Sequence, residues 1–334
     1  MVTIAVDAMG GDFAPESEVK GALACLTDPR CDFSIALYGD EKRIAPHLAG
    51  RPVDERLRVV HTTEVIDMHD SAMSALKNKK DSSMGRALEA LKAGDVQGFI
   101  SAGNTGAVMA ASTLILGRLP GVSRPTIGTF LPTERGWTLV VDAGANVDCK
   151  PQHLVQFGIM GSIYTEHMRG VSRPSVGLLN VGEEESKGGE VPVATNRLLK
   201  DAPINFRGNV EGGDIFKGTV DVVVCDGFTG NIILKFAESV PGFLKATFRA
   251  VAEKSILDKL RIGFASGALR AAMKDWDYQE HGGVPLLGVN GVSIIGHGRS
   301  TPRAIMNMIL KAKETIDRRV TERIAEAMPA APHS

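Results

Sequence analysis

Short runs of glycine and small polar residues recur along this chain, and each follows a β-branched apolar run. Glycine lets a backbone approach a ligand, and Asn, Asp, Ser and Thr side chains can hydrogen-bond that ligand. Where a helix starts directly afterwards, its free N–H groups favour an anion. The pattern predicts a polar site for phosphate-like or carboxylate groups, although any one loop could simply shape a turn. The runs are 7–12, 101–106, 142–146, 180–185, 226–231 and 296–301.

We expect the Gly, Asn, Asp and Thr residues of these runs to surround the substrate. Most histidines in the chain are scattered, but two adjoin glycine-rich loops and are added to the set. The predicted substrate contacts are Asp7, Gly10, Gly11, Asn104, Thr105, Gly106, Asp142, Asn146, Gly182, Asp226, Gly227, Thr229, Gly230, His281 and His297.

Common catalytic signatures are absent from the sequence. It has no GxxxxGK[ST] phosphate loop, no GxGxxG after the first strand, no GxSxG and no HExxH. The four cysteines form no CxxC metal motif or disulfide framework. Cys149 precedes a predicted helix start that could lower its thiol pKa, but no histidine partner is recognisable. We therefore find no recognisable motif for a metal or a cofactor, and rank Cys149 as a weak nucleophile candidate.

Predicted strands alternate with predicted helices along the whole chain. Such alternation is typical of an α/β fold whose mostly parallel, doubly wound sheet carries helices on both faces. Ligands in these sheets bind beyond the carboxyl ends of the strands, where the glycine-rich loops lie. No linker interrupts the pattern, so we predict a single catalytic domain over 1–327, with one or two lobes, and a disordered tail over 328–334.

Composition restricts the class of protein. The 334 residues include 38 Lys and Arg against 39 Asp and Glu, and aromatic residues make up only 5%. This balance argues against bulk binding of nucleic acid, which needs clustered positive charge. No basic leader and no apolar run of membrane-spanning length is visible, so we expect a cytoplasmic protein.

The loop sequences at 7–12, 101–106, 142–146, 180–185 and 226–231 occur in an order that closely resembles the bacterial acyl-ACP:phosphate acyltransferases, the PlsX family of phospholipid synthesis. The resemblance extends from about residue 2 to about residue 320. It implies transfer of a long-chain acyl group from acyl carrier protein to inorganic phosphate, by a homodimer that uses no metal or nucleotide. The acyl phosphate would pass to a membrane glycerol-3-phosphate acyltransferase. The implied fold is that of phosphate acetyltransferases and of isocitrate or isopropylmalate dehydrogenases.

Phosphate is itself a nucleophile, so such an enzyme has to hold the anion and stabilise the oxyanion that forms on the thioester carbonyl. We predict two catalytic residues. Lys187, after an acidic run, could contact the phosphate or the carbonyl, or could be a solvated loop lysine. Asn231 could donate its amide to the oxyanion, and could also cap a helix.

The segment 243–274 has seven basic and two acidic residues, a charge of +5 against −6 for the rest of the chain. Apolar residues are interleaved with these charges, a pattern that suits an acidic partner or an anionic membrane surface, or an ordinary amphipathic core helix. The predicted contacts for carrier protein or membrane are Lys254, Lys259, Arg261, Phe264 and Arg270.

Other functions fit parts of the pattern. A phosphate acetyltransferase would use acyl-CoA in place of the carrier protein. A dehydrogenase of the isopropylmalate type would need an acidic metal-binding set that the sequence does not show. A non-catalytic scaffold for membrane acyltransferases would bind partners without turning over a thioester.

Overall fold

The computed structural model describes residues 1–50, 54–67, 70, 77–273, 276, 280 and 282–328. Within these ranges the strands form one sheet of mixed direction, in the order β3-β2-β1-β4-β11-β10-β5-β6-β9-β7-β8. The strands are β1 (Thr3–Asp7), β2 (Ser34–Gly39), β3 (Leu57–His61), β4 (Gly98–Ser101), β5 (Thr126–Thr133), β6 (Gly136–Val141), β7 (Ser175–Leu179), β8 (Asn205–Val210), β9 (Val222–Val224), β10 (Val284–Leu287) and β11 (Val292–Ile295).

Helices connect most of the strands. In the described ranges they are α1 (Glu16–Thr27), α2 (Glu41–Leu48), α3 (Ser83–Ala93), α4 (Thr105–Ile115), α5 (Pro151–Arg169), α6 (Glu190–Lys200), α7 (Gly212–Lys217), α8 (Gly227–Ala252), α9 (Ile256–Ala272), α10 (Pro302–Asp317) and α11 (Val320–Ala327). Apart from Met328, the tail predicted to be disordered lies outside the described residues.

Both faces of the sheet are covered by helices, as the sequence predicts. In β1, Ile4 and Val6 pack into one apolar cluster, whereas Ala5 between them belongs to another on the opposite face. Alternate residues of a strand point to opposite faces, so a strand that is apolar throughout can be buried on both. The prediction of an α/β fold with a mostly parallel sheet is confirmed.

The sheet consists of two parallel halves that run in opposite directions. One half contains β3, β2, β1, β4 and β11, and the other contains β6, β9, β7 and β8. Between them β10 is antiparallel to β11, β5 is antiparallel to β10, and β6 is antiparallel to β5. Three reversals of direction turn the second half against the first.

The two halves are joined by few backbone contacts. β5 pairs with β10 only through Thr126 and Ile127, and the rest of β5 continues beside β6 alone. Beyond Ile127 the two middle strands therefore separate, and the sheet opens into a gap. This gap positions the candidate site.

Two long helices, α8 and α9, pack against each other as a hairpin. Their apolar side chains are largely exposed, including Phe243 at 69% and Phe264 at 98%. An ordinary amphipathic core helix would bury these residues, so that interpretation of 243–274 does not hold for this chain by itself. Among the described residues, no helix combines the length and the apolar character needed to cross a membrane.

Candidate active site

A cleft of about 900 Å³ occupies the gap between β5 and β10. One wall is the edge of β5 from Ile127 to Pro132, and further walls come from α8 and from the loops that follow β4, β6 and β11. The carboxyl ends of both halves of the sheet therefore reach one cavity, although the halves run in opposite directions. Of the predicted site residues, those that line the cleft are Thr105, Gly106, Asn231 and His297.

Asp7 shapes the loop after β1 from beneath and does not line the cleft. Its carboxylate accepts hydrogen bonds from the hydroxyls of Ser83 at 2.6 Å and Ser101 at 2.7 Å. Burial raises the pKa of Asp7, and these two hydrogen bonds act in the opposite direction. A side chain at Gly10 would lie 2.5 Å from this carboxylate, so only glycine fits there. Gly11, at φ +118°, also requires glycine.

The N-terminus of α4 faces the cleft. Asn104 caps this helix by accepting the N–H of Ala107 at 3.0 Å, and Thr105 and Gly106 form its first turn on the cleft wall. The first turn contains no acidic residue. Its free N–H groups and the helix dipole make this position suited to an anion.

Asp142 organises the loop after β6. It is fully buried, and its carboxylate accepts the backbone N–H groups of Ile127, Gly144, Ala145 and Asn146 as well as the Asn146 side chain. Burial raises the pKa of Asp142, while these hydrogen bonds stabilise the carboxylate. Asp142 and Asn146 thus hold the loop that presents Gly144 and Ala145 to the cleft.

The start of α8 packs against this loop at very short range. A side chain at Gly230 would lie 1.8 Å from the carbonyl oxygen of Asp142, and one at Gly227 would lie 2.7 Å from the backbone of Asn146. Asp226, and not Asn231, caps the helix: it accepts the N–H of Thr229 at 2.9 Å and the Thr229 hydroxyl at 2.8 Å. The first turn of α8 is therefore positioned by Asp226, Gly227, Thr229 and Gly230.

Asn231 lies one turn into α8 and opposes the loop after β6. Its side chain is beside Gly144, where an added Cβ would be 3.4 Å from the Asn231 Cβ and 3.5 Å from its Oδ1. Gly144 has φ +137°, so its backbone conformation favours glycine. The Asn231 amide therefore faces the cleft as a neutral hydrogen-bond donor.

Lys187 lies outside this arrangement. Its side chain is 49% exposed, and its Nζ is 3.9 Å from a carboxylate oxygen of Glu184. The loop is held by Asn180, which donates to the Lys187 carbonyl at 2.9 Å, and by the close approach of Gly182 to Glu184 and Lys187. Lys187 and Gly182 are not among the residues that line the cleft, so a catalytic role for Lys187 stays a prediction.

His297 lines the cleft in the loop after β11. The N–H of Arg299 donates to its Nδ1 at 3.1 Å, so a neutral imidazole carries its proton on Nε2. The neighbouring Gly298 carbonyl accepts the N–H of Asp12 at 2.7 Å, which ties the loops after β1 and β11 together. His281 lies outside the described residues.

Comparison with known proteins identifies the family. The sequence matches the family model described as "Fatty acid synthesis protein" over residues 2–323. A phosphate acyltransferase of Chlorobaculum parvum is 49% identical over 335 residues, which cover 97% of this chain and 98% of that protein. A phosphate acyltransferase of Pelotomaculum thermopropionicum is 46% identical over 325 residues, covering 97% and 94%. The chain belongs to the phosphate acyltransferase family.

A solved structure agrees at the level of the fold. A phosphotransacetylase from Streptococcus pyogenes superposes with a TM-score of 0.64 at 14% identity, covering 95% of this acyltransferase and 94% of that chain. The predicted likeness to the phosphate acetyltransferase fold is confirmed. The enzyme is an acyltransferase, as the sequence motifs indicate.

Cys149 of this acyltransferase is poorly suited to act as a nucleophile. It lies just before α5, as the sequence predicts, but its thiol is half-buried and donates to the Asn146 carbonyl at 3.5 Å. Burial, with the nearby Asp142 carboxylate, raises the pKa of the Cys149 thiol to about 11. The effect of the surroundings is opposite to the lowered pKa that a helix start alone suggests.

Several cleft residues of the acyltransferase were not among the predicted contacts, although two of them lie within the glycine-rich runs 7–12 and 296–301. They are Asp12, Thr129, Arg169, Arg299, Lys311 and Glu314. Helical spacing could have identified Lys311. It lies three residues after Met308 and four before Thr315, and both of these residues are buried. This spacing places Lys311 on the inward face of α10. Within the described ranges, no cluster of three or more His, Cys, Asp or Glu side chains could hold a metal ion.

Proposed function

We propose that this acyltransferase moves a long-chain fatty acyl group from the thioester of acyl carrier protein to inorganic phosphate, giving acyl phosphate and free carrier protein for phospholipid synthesis. The observation that carries the proposal is the pairing of two features across one cleft. The first turn of α4 offers an anion site at Thr105 and Gly106, and Asn231 offers a neutral amide donor. Both are needed when phosphate attacks a carbonyl.

Chemically, a phosphate oxygen attacks the thioester carbon, and an oxyanion forms on the carbonyl oxygen. The carbon–sulfur bond then breaks, and the carrier thiolate takes up the proton of the hydrogen phosphate. Asn231 donates to the oxyanion, and the N–H groups at the start of α4 hold the phosphate. His297 lines the same cleft and is a further contact for the substrate. No enzyme nucleophile is required, in accord with the raised pKa of Cys149.

We assign the α8–α9 hairpin to contact with an anionic surface. Its distal part carries Lys254, Lys259 and Arg261 together with exposed Leu260 and Phe264. From Asn231 to the end of α8 the helix rises by about 30 Å, and an extended pantetheine arm reaches only about 16 Å. This distance favours a membrane contact at the tip over delivery of a thioester from it. The side chain of Arg270 lies outside the described residues.

The assembly and location follow the family resemblance. We propose that the enzyme is a homodimer in the cytoplasm, associates peripherally with the membrane, and supplies acyl phosphate to a membrane glycerol-3-phosphate acyltransferase. The exposed apolar side chains of α8, such as Phe228 at 60% and Phe236 at 66%, support a covering partner on this helix.

A coupled assay tests the reaction. Purified protein is incubated with palmitoyl-ACP and inorganic phosphate; hydroxylamine traps acyl phosphate, and free carrier protein is quantified. We expect equal, phosphate-dependent amounts of both products. Free carrier without acyl phosphate would indicate a thioesterase, and phosphorolysis of acetyl-CoA alone would indicate a phosphate acetyltransferase. No turnover of either donor would favour a scaffold.

A further inference from the structure

One end of the cleft, beside Phe130, contains a group of cationic and polar residues that the proposed chemistry does not use. Arg169 at the end of α5, Lys311 on α10 and Tyr164 on α5 all line it. The Arg169 guanidinium lies over two aromatic rings, 4.5 Å from the centre of Phe130 and 4.4 Å from that of Trp137. These cation–π contacts hold the guanidinium at this end of the cleft.

Lys311 and Tyr164 have hydrogen-bonding capacity that the fold does not consume. Lys311 Nζ donates to the carbonyl of Gly283 at 2.9 Å, which uses one of its three protons. The Tyr164 hydroxyl is fully buried and has no hydrogen-bond partner in the structure. A buried polar group without a partner is costly, and a bound ligand would satisfy it.

The charges at this end favour an anion. Burial, assisted by Arg169, lowers the pKa of Lys311 to about 8, so the amine is still mostly protonated at neutral pH. Glu314 also lines the cleft, but its carboxylate is paired with Arg318 at 2.8 Å. With Arg169, Lys311, Glu314 and Arg318 counted together, the group keeps a positive charge.

Between this end and Asn231 runs an open strand edge. In β6, Leu139 donates to Asp221 on the β9 side, so Thr138 and Val140 direct their backbone groups to β5. Strand alternation then turns the N–H and carbonyl of Phe130 and the carbonyl of Pro132 away from β6 and toward the cleft. Within the described ranges, no strand other than β6 pairs with β5 at these positions. An extended chain containing amides would find hydrogen-bond partners there.

We propose that this end of the cleft binds the pantetheine phosphate of the thioester donor, with Arg169, Lys311 and Tyr164 contacting the phosphate and the edge of β5 contacting the amides of the arm. The inference rests on the proposed function, because it assumes a carrier-bound thioester. It adds a donor subsite, separate from the site for the acceptor phosphate at α4.

The spacing fits the arm. Ile127 lies beside the loop that presents Gly144 to Asn231, and from Ile127 to Phe130 the strand advances about 10 Å. Adding the Phe130 and Arg169 side chains gives a span comparable to the ~16 Å reach of the arm from phosphorus to sulfur. Leu131, Leu234 and Ala237 line an apolar part of the cleft in which the acyl chain could continue.

Two small donors that differ only in the phosphate test the proposal. Palmitoyl-4′-phosphopantetheine and palmitoyl-pantetheine are compared as donors for the wild-type enzyme, Lys311→Met and Arg169→Gln. We expect the wild type to prefer the phosphorylated donor by about tenfold or more in kcat/KM, and each variant to lose most of that preference while its KM for inorganic phosphate is unchanged. Lys313→Met is the matched control, since Lys313 pairs with Asp317 on the same helix and does not line the cleft.

The outcomes separate this inference from the proposed function. Equal use of the two donors by the wild type, or a preference that survives in both variants, would overturn the subsite. A raised KM for inorganic phosphate in the variants would assign these residues to the acceptor. If the wild type forms no acyl phosphate from any donor, the proposed function fails. The subsite is then tested by calorimetry: tighter binding of 4′-phosphopantetheine than of pantetheine supports it, and equal binding overturns it. If Lys311→Met does not fold, the comparison is made with Arg169→Gln, because Arg169 is exposed.

Discussion

At the scale of single residues, Asp142 and Asp7 bind the protein's own loops instead of a substrate. Each carboxylate is buried and accepts hydrogen bonds from the backbone or hydroxyl groups around it. Negative charge would repel phosphate, and these positions hold that charge beneath the loops. Chemistry is left to neutral or cationic donors, of which Asn231 is the best placed.

We predict that Asn231→Ala lowers kcat about 100-fold, as loss of an oxyanion donor does in other enzymes. The thermal midpoint should change little, because the side chain is exposed and Asp226 caps the helix. Steady-state kinetics with palmitoyl-ACP and phosphate measures the effect. Asn290→Ala, an exposed asparagine that does not line the cleft, is the control and should keep full activity. A raised KM with an unchanged kcat would contradict an oxyanion role.

Cys149→Ala is expected to retain at least about half of the wild-type kcat, since a thiol with a pKa of about 11 is protonated at neutral pH. The same assay measures it, together with the rate of iodoacetamide labelling of the wild type, which should be slow. An inactive but folded Cys149→Ala variant would support a mechanism with a covalent acyl-enzyme intermediate at Cys149.

Glu18 predicts a pH dependence of stability. It is only 1% exposed, its Oε2 lacks a partner, and burial raises the pKa from 4.5 to about 8, with Asp7 acting in the same direction. Between these values the unfolded chain has lost the proton and the folded chain retains it. The free energy of unfolding therefore falls as pH rises from about 4.5 to 8, by up to about 1.4 kcal/mol per pH unit.

Urea unfolding at pH 5, 6, 7 and 8 tests this for Glu18→Gln. The variant should gain stability relative to the wild type as pH rises, because it has no proton to lose. Glu16→Gln, on the exposed side of the same helix, is the control. A difference between Glu18→Gln and wild type that does not vary with pH would show that Glu18 titrates normally.

At the scale of elements, the site depends on how closely α8 approaches the loop after β6. Gly227 and Gly230 allow backbone to lie against backbone, and this contact brings Asn231 to Gly144. Motif glycines that look like ligand-binding residues in the sequence are here packing residues. Their effect on the substrate is indirect, through the position of the helix.

We predict that Gly230→Ala destabilises the protein by about 3 kcal/mol or prevents folding, since the new methyl would lie 1.8 Å from the Asp142 carbonyl oxygen. Gly242→Ala, in the same helix with open space around it, should instead stabilise by up to about 1 kcal/mol. Denaturant titration compares the two. Equal effects would mean that α8 shifts freely from the loop.

At the scale of the whole molecule, we assign different roles to the two parallel halves of the sheet and to the helical hairpin. In the described part of the sheet, β5 and β10 pair at only two positions, and the cleft that opens beyond them is lined by residues from both halves. The hairpin extends about 30 Å from the reacting groups, and its exposed apolar side chains and positive charge face outward. The proposed surface contact is therefore separated in space from the proposed chemistry.

The double variant Lys259→Glu/Arg261→Glu tests the hairpin. We expect it to bind vesicles containing anionic phospholipid at least about tenfold more weakly, because surface basic residues each contribute about 1 kcal/mol there, with little change in KM for phosphate. The control is Lys92→Glu, an exposed lysine on α3. If KM for palmitoyl-ACP rises and vesicle binding is unchanged, the hairpin docks the carrier protein.

Most strands of the two parallel halves could be predicted, because a strand buried on both faces is a short β-branched run with a glycine-rich loop after it. Val292–Ile295 and Val222–Val224 fit this description. The antiparallel strands β5 and β10 were not predicted, since Thr126–Thr133 and Val284–Leu287 contain glycine or proline and lack such loops. Without them, the reversal between the halves and the gap in the sheet could not be foreseen.

The sequence by itself determined the fold class, the loops and the family, because these depend on local spacing and on motifs that survive in order along the chain. Only the tertiary structure decided which loop residues meet. It placed Thr105, Asn231 and His297 in one cleft, left Lys187 on an exposed loop, and brought Arg169 beside Lys311 from helices more than a hundred residues apart. Residues so far apart in sequence come together through sheet topology and helix packing, which local patterns do not encode.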